Sequence, residues 1–296
     1  MKPADVLLAL VVVVVWGLNF VVIKAGVAEV PPLLLGALRF VMAAFPAVLL
    51  VPRPRVPWRL WLAYGLTISV GQFAFLFSAI HLGMPSGLAS LVLQAQAFFT
   101  LILSGLILGE AWRSHQLAGL ALAGVGLTLI GSAHGQSMPL VGFLLTLAAA
   151  ASWALGNVVT RLIGRHGPVH PLGLVVWASL VPPLPFLALS WLIEGPAALV
   201  ALVERGLSLS ALGALAYLAW AATLLGYGLW SRLLGRYPAN QVAPFSLLVP
   251  VVGLTAGWGI HGERLLPVHL AGGALLMLGL LVNLFGPRLW VRLRGV

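Results

Sequence analysis

Ten long apolar stretches follow one another along the chain, separated by short connections. A helix needs about 20 mostly apolar residues to cross a lipid bilayer. The stretches are rich in Leu and Ala, and they are too long for the strands of a membrane barrel, which have about ten residues of alternating polarity. The sequence therefore predicts an all-α integral membrane protein with ten transmembrane helices, called spans 1 to 10: 6–26, 33–51, 60–81, 84–106, 114–132, 139–160, 171–192, 210–231, 239–260 and 266–287.

Motifs of the first half of the chain recur in the second half at constant offsets. The recurring residues are, at an offset of 153, Pro85, Gly109 and Glu110 with Pro238, Gly262 and Glu263, and, at an offset of 137, Trp16, Leu18 and Lys24 with Trp153, Leu155 and Arg161. Each half has five spans, an odd number, so the two halves should cross the membrane in opposite directions. We expect two domains, 1–135 and 136–296, as inverted five-helix repeats, an organisation typical of secondary transporters.

Composition and charge placement agree with a membrane protein. Apolar residues make up 61% of the chain and charged residues 7%, which excludes an ordinary soluble domain. Twelve of the 16 Lys and Arg residues lie at the N-terminus, in loops after even-numbered spans or in the tail, where Arg288, Arg292 and Arg294 are found. By the positive-inside rule we expect both termini in the cytoplasm of a bacterium, with the chain in the inner (plasma) membrane. We expect no nucleic-acid partner, despite the net charge of +10.

Acidic residues lie only at the predicted ends of spans or in loops. No span has a carboxylate near its middle, which disfavours a carboxylate proton relay and an intramembrane aspartate protease. The chain has no cysteine, no HExxH and no P-loop motif, so metallopeptidase and ATP-driven functions lack their residues. We expect no enzyme activity, no catalytic residue, no cofactor and no metal.

Neutral polar side chains lie inside the predicted spans, where an unpaired amide in hydrocarbon is costly. Such groups should face one another or a water-filled cavity. Amides both donate and accept hydrogen bonds, which suits zwitterionic or polar neutral solutes. Interhelical hydrogen bonds that only stabilise the bundle are the alternative. These candidates for substrate binding are Asn19, Gln72, Gln94, Gln96, Asn157 and Ser246.

Aromatic and basic side chains add to the candidate site. Deep rings can wall a pocket for an apolar or aromatic substrate side chain. The rings selected are Trp16, Trp153, Trp177 and Tyr227. Arg39, inside span 2, either holds a substrate carboxylate or extends outward to the interface. His81 either titrates in the pathway or is an ordinary interface residue, and Lys24 and Arg161 are explained by favourable interaction with helix C-termini.

Prolines inside spans predict interruptions, because proline removes a backbone donor and clashes with the preceding turn. Span 7, with Pro182 and Pro183, and span 9, with Pro244 and Pro250, are candidate hinges. Static packing kinks are the alternative. Span 4 has Ala97 where the repeat places Pro250, so we expect span 4 to lack the kink of span 9.

A set of ordered motifs resembles a known family. The motifs are Trp16-Gly17-Leu18-Asn19-Phe20 with Lys24, Leu38-Arg39-Phe40, Pro85, Gly109-Glu110 and Gln116-Leu117-Ala118-Gly119, then Trp153-Ala154-Leu155-Gly156-Asn157, Pro238 and Gly262-Glu263. The whole chain resembles the drug/metabolite transporter superfamily, EamA type, and within it is most similar to the YddG-type aromatic amino acid exporters. The resemblance implies inverted repeats around a central cavity lined by spans 1–4 and 6–9, with spans 5 and 10 at the side.

Together these features predict a secondary transporter that exports amino acids, aromatic and other neutral ones, by alternating access. Export of drugs or other small metabolites of broad specificity is the alternative, and a non-transporting membrane scaffold is a third. The expected partners are a small-molecule substrate and the lipid bilayer. We expect a monomer, with a dimer through spans 5 and 10 as the alternative.

Overall fold

Ten helices long and apolar enough to cross a membrane are found in the part of the chain that the structure, a computed structural model, describes, and no strand is found there. The description covers residues 1–293, without the side chains of residues 205, 239, 240 and 287–293. The side chains of Arg288, Arg292 and Arg294, which count toward the predicted positive charge of the cytoplasmic side, therefore lie outside it. The ten helices confirm the predicted spans: Pro3–Glu29, Pro32–Leu50, Trp58–His81, Ser86–Leu108, Ser114–Ser132, Leu140–Gly164, Pro171–Glu194, Leu209–Arg236, Ala243–His261 and Pro267–Gly286.

Hydrogen bonds link the ends of the spans on two faces of the bundle. On the face that holds the chain start, called the N-terminal face, Asp5 accepts hydrogen bonds from Arg236 Nη1 at 3.2 Å and from the Tyr237 hydroxyl at 2.7 Å. On the other side, called the opposite face, Glu194 accepts from the backbone N–H groups of Leu33 at 2.6 Å and Leu34 at 3.1 Å. The first set joins the start of span 1 to the end of span 8, and the second joins the end of span 7 to the start of span 2.

Spans 3, 4, 8 and 9 depart from α-helical geometry at matching places in the two halves. Span 3 is π-helical over Gly65–Gly71, and span 8 over Tyr217–Leu225. Span 9 begins with a 3-10 segment, Ala243–Leu248, as its prolines predict. Span 4 has a 3-10 segment at Leu93–Ala95. The prediction that span 4 lacks the interruption of span 9 is therefore wrong.

The interruption of span 4 needs no proline because it lies beside the interruption of span 9. Gln94, inside the span 4 segment, donates from Nε2 to the Ser246 carbonyl of the span 9 segment at 3.4 Å. Unwound backbone inside a membrane requires such partners or a wet cavity. The Gln94 side chain thus satisfies one backbone carbonyl of the span 9 segment across the two halves of the chain.

Spans 5 and 10 pack against each other through glycines. A Cβ added to Gly119 would lie 2.6 Å from the Gly279 carbonyl oxygen, and one added to Gly272 would lie 2.6 Å from the Gly126 carbonyl oxygen. The two backbones are therefore in direct contact, as small residues permit in lipid. The glycine faces of spans 5 and 10 therefore pack against each other within one chain.

Candidate functional site

A cavity of about 630 Å³ lies where the two halves of the chain meet. Its lining comes from spans 1 to 4 and 6 to 9, and no described residue of spans 5 or 10 contributes. The lining also includes Gly164, Gly167, Pro168 and Val169, which lie at the end of span 6 and in the connection that follows it. Since that connection is on the N-terminal face, the cavity opens toward this face.

The structure brings together ten of the twelve predicted site residues around this cavity. They are Trp16, Asn19, Arg39, Gln72, Gln94, Gln96, Trp153, Asn157, Tyr227 and Ser246. The other two lie elsewhere. His81 is exposed on the opposite face, where Nδ1 is 3.2 Å from the Val27 carbonyl oxygen. Trp177 donates to the Val51 carbonyl at 2.9 Å and lines a separate cavity of about 210 Å³.

Arg39 is a buried cation at the cavity wall. Its residue is 2% exposed, so the alternative in which it extends outward to the interface is wrong. Nη2 donates to the Thr223 hydroxyl at 3.1 Å, whereas Nε and Nη1 are buried without a hydrogen-bond partner. The Phe73 ring lies under the guanidinium, with its centroid 4.0 Å from Cζ. The aromatic face partly stabilises the charge, and no described residue supplies an acceptor for Nε or Nη1.

Two amide oxygens at the cavity wall also lack partners. Asn19 Oδ1 and Gln72 Oε1 are both buried with no hydrogen bond. A buried polar atom without a partner costs about 1–3 kcal/mol. Such a group requires an explanation, and a bound ligand, water or ion is one. The cavity therefore carries unpaired acceptors on spans 1 and 3 as well as the unpaired donors of Arg39.

A second polar group on the cavity wall is already paired. Asn157 Nδ2 donates to Gln96 Oε1 at 2.9 Å and to the Thr100 hydroxyl at 3.0 Å. This network joins span 6 to span 4, and so to the other half of the chain. Of the predicted amides, Gln96 and Asn157 thus stabilise the bundle at the cavity surface, whereas Asn19 and Gln72 have unsatisfied oxygens.

Aromatic rings form another part of the cavity wall. Trp16 donates from Nε1 to the Ala222 carbonyl at 3.0 Å, which fixes the plane of the indole. Its ring centroid lies 5.3 Å from that of Tyr227 and 5.2 Å from that of Trp230. Trp153, the sequence counterpart of Trp16, lines the same cavity.

Sequence reasoning missed Trp230 and Thr223 on span 8. Both share a helix face with Tyr227, because residues three and four apart are neighbours on a helix surface. Thr223 holds Arg39 and Trp230 packs on Trp16. The spacing from position 223 to 227 to 230 is the signal that could have identified them.

Lys24 and Arg161 each form an ion pair with a glutamate from the other half of the chain. Lys24 Nζ is 2.7 Å from Glu263 Oε1, and Arg161 Nη1 contacts Glu110 Oε2. The explanation of Lys24 by a helix C-terminus is wrong, because span 1 continues to Glu29 and Lys24 is not in its last turn.

Comparison with known proteins adds a family and close relatives. The sequence pattern of the EamA-like transporter family matches residues 4–132 and 140–285. A probable amino-acid metabolite efflux pump of Salmonella typhimurium is 53% identical over 291 residues, covering 97% of each chain. A protein of the same description from Escherichia coli K12 is 51% identical over 292 residues, again covering 97% of each chain.

A more distant relative and one solved structure also match the chain. An uncharacterized inner membrane transporter of Escherichia coli K12 is 27% identical over 285 residues, which are 92% of this chain and 88% of that protein. A solved crystal structure of 22% sequence identity superposes with a TM-score of 0.63 over 98% of this chain and 99% of its own. This last likeness shows the fold alone.

Proposed function

Because the chain belongs to the EamA-like transporter family, we propose that it exports amino acids, aromatic ones included, across the bacterial inner membrane by alternating access. That it is a multi-pass membrane transporter follows from the family and the ten spans. The two curated relatives of just over 50% identity, described as probable amino-acid metabolite efflux pumps, support amino-acid export.

Arg39 is the observation that carries the choice of an amino-acid substrate. Its Nε and Nη1 are buried, unpaired and at the cavity wall, and no carboxylate of the described residues lines that cavity. An arginine binds a carboxylate with two parallel hydrogen bonds from one edge of its planar fork, and here that edge consists of Nε or Nη1 together with the second N–H of Nη2. The substrate carboxylate supplies the missing anion.

The ammonium group of the same substrate is assigned to the unpaired oxygens of Asn19 and Gln72. An ammonium carries three donors and no acceptor, so two amide oxygens and a water satisfy it. Spans 1, 2 and 3 together then recognise a zwitterion, with its negative end at Arg39.

The aromatic wall supports substrates with large side chains. Trp16, Tyr227 and Trp230 offer ring faces and edges on one side, and Trp153 adds another ring. A cavity of about 630 Å³ is within the range of about 300–1,000 Å³ typical of small-molecule sites. This volume admits the largest amino acids together with water.

The charge bias and the opening of the cavity are compatible with the proposed export. The positive-inside rule assigns the N-terminal face to the cytoplasm. The cavity opens to this face and so receives its substrate from the cytoplasm. Matching interruptions in spans 3 and 8 and in spans 4 and 9 support two inverted halves, which exchange access by moving around a site between them.

Two other functions are less well supported. A broad exporter of cationic drugs would need an anionic wall, whereas the described lining carries the Arg39 cation instead. A non-transporting scaffold would have a packed centre with its amides paired, whereas Asn19 and Gln72 have unpaired oxygens beside an open cavity.

Flux through the purified protein in liposomes tests the proposal. Vesicles preloaded with labelled phenylalanine, tryptophan or leucine should lose label faster than vesicles without protein, and an imposed pH gradient should not be required. The absence of flux for every common amino acid tested would refute the proposal. Drug efflux without amino-acid flux would favour the alternative.

A further inference from the structure

The two ion pairs between the halves are built from equivalent residues. Lys24 corresponds to Arg161 at an offset of 137, and Glu110 corresponds to Glu263 at an offset of 153. Each half supplies one cation and one anion, and each pair joins a cation of one half to an anion of the other. One pair lies on each face of the bundle.

The pair on the opposite face is reinforced by further hydrogen bonds. Glu263 Oε1 accepts from Lys24 Nζ at 2.7 Å, from the Ser86 N–H at 2.7 Å and from the Ser86 hydroxyl at 2.8 Å. Its Oε2 accepts from the Gly87 N–H at 2.9 Å. The carboxylate therefore joins span 1 and the start of span 4, in the first half, to the connection between spans 9 and 10.

The space around this carboxylate is available only because two neighbouring residues are glycines. A Cβ at Gly87 would lie 3.3 Å from Glu263 Oε2, and a Cβ at Gly257 would overlap the same oxygen. Gly259, two residues further along span 9, has nothing within 4 Å of an added Cβ. Gly257 thus admits the carboxylate, and Gly259 provides a matched control.

The pair on the N-terminal face is much less enclosed. The side chains of Arg161 and Glu110 are 47% and 48% exposed, whereas that of Glu263 is 7% exposed. Exposed ion pairs contribute little to stability, whereas a buried carboxylate with several charge-assisted hydrogen bonds contributes more. The enclosed pair lies on the face where the cavity is closed, and the exposed pair lies on the face where it opens.

We infer that Lys24–Glu263 is the gate of the opposite face and that Glu263 locks it closed in this structure, whereas Arg161–Glu110, which is paired on the face where the cavity opens, does not close that face. The inference rests on the alternating access proposed above. Opening toward the opposite face requires the Glu263 carboxylate to leave Ser86 and Gly87, so that the connection between spans 9 and 10 separates from spans 1 and 4.

Cysteine labelling tests the gate at Glu263 directly, because the chain has no cysteine of its own. The reporter is Ser246→Cys at the cavity wall, labelled with a membrane-impermeant maleimide in right-side-out and inside-out vesicles. The reporter alone should react faster from the N-terminal face. Adding Glu263→Gln should raise the ratio of the opposite-face rate to the N-terminal-face rate about tenfold. The reason is that the NH2 group of Gln, a donor, would face the Gly87 N–H, another donor, and that the ion pair with Lys24 would be lost.

Matched variants separate a gate from a general loosening of the fold. Gly257→Ala should shift the ratio in the same direction as Glu263→Gln, and Gly259→Ala should leave it unchanged. Glu110→Gln should change it less than about threefold and never toward the opposite face. If Glu263→Gln does not accumulate in membranes, Lys24→Met, which keeps the bonds from Ser86 and Gly87, replaces it with the same expected direction.

Two results would overturn the inference. One is an unchanged ratio in both Gly257→Ala and the Glu263→Gln or Lys24→Met variant. The other is an equal shift in Gly259→Ala or Glu110→Gln. Labelling needs no substrate, so a shifted ratio in a protein that moves no amino acid would retain the gate at Glu263 and reject the amino-acid proposal.

Discussion

Spans 5 and 10 differ from the eight spans around the cavity in both backbone and polarity. Ser114–Ser132 and Pro267–Gly286 are uninterrupted helices whose glycines bring the two backbones together. Around the cavity, spans 3, 4, 8 and 9 contain π or 3-10 segments. Spans 1 and 6 of the wall are also regular, but every π or 3-10 segment of the described residues lies in a span around the cavity.

In the described part of the chain, buried polar atoms without a hydrogen-bond partner also lie mostly in residues of the cavity wall and not in spans 5 and 10. Among the described residues, four side chains have buried polar atoms without a partner, and three of them, Asn19, Arg39 and Gln72, line the cavity. The fourth, Ser104, is in span 4 outside the lining. A buried polar atom without a partner requires an explanation such as a bound ligand, so we assign recognition to the cavity wall and packing to spans 5 and 10. The following changes test this division, from the largest expected effect to the smallest.

Arg39→Met should abolish transport and leave the fold intact. Removing one partner of a desolvated charge pair costs about 3 kcal/mol, so amino-acid flux should fall at least about 100-fold. Replacing a buried cation that has no anionic partner by an apolar side chain should not lower stability. Flux in liposomes and the unfolding temperature in detergent measure the two effects. Arg39→Lys, which keeps the charge without the fork, should recover only part of the flux, and full activity in Arg39→Met would contradict the assignment.

Gly119→Ala should show the reverse pattern, with lower stability and normal recognition. Its Cβ would lie 2.6 Å from the Gly279 carbonyl oxygen, and such overpacking costs about 1–3 kcal/mol. Flux per folded molecule should stay at the wild-type value. Gly124→Ala, where nothing lies within 4 Å of the added Cβ, is the control and should keep the unfolding temperature. A normal unfolding temperature in Gly119→Ala would remove the distinction between the two regions.

Asn157→Ala should lower stability by about 1 kcal/mol, since Gln96 Oε1 and the Thr100 hydroxyl lose their donor. Removing Gln96 as well should cost little more, because the two amides act as a pair. A double-mutant cycle on the unfolding temperature measures this coupling. Strict additivity of the two changes would show that the network does not join spans 4 and 6 as described.

The gate at Glu263 should be insensitive to pH between about 5 and 8. Burial raises the pKa of this carboxyl, but hydrogen bonds from Lys24, Gly87 and Ser86 hold it below its ordinary value of 4.5. Because its pKa is lowered in the folded protein, the carboxylate stabilises the closed gate fully at a pH above its ordinary pKa. This stabilisation is lost only as the pH falls through the lowered pKa. The Ser246→Cys labelling ratio should therefore be flat across this range, and a transition near pH 6 would contradict the expectation.

The sequence predicts the spans and most of the cavity wall, for identifiable reasons. Long apolar stretches define the spans, and polar groups inside a membrane protein must face water or one another. His81 and Trp177 lie outside the cavity because depth in a span does not say which side of the helix a residue occupies. The break in span 4 has no proline to mark it, and the Lys24–Glu263 pair joins residues 239 apart in sequence, so neither follows from local pattern.

Competition by substrate fragments tests the central claim most directly. Phenylalanine, phenethylamine and 3-phenylpropionate share the ring, but only phenylalanine carries both the ammonium and the carboxylate. In liposomes with the wild-type protein, unlabelled phenylalanine should compete with labelled phenylalanine at least about tenfold more effectively than either fragment, since each fragment leaves buried groups unpaired. Equal competition by phenethylamine would contradict a carboxylate site at Arg39 and would favour a carrier of cationic compounds.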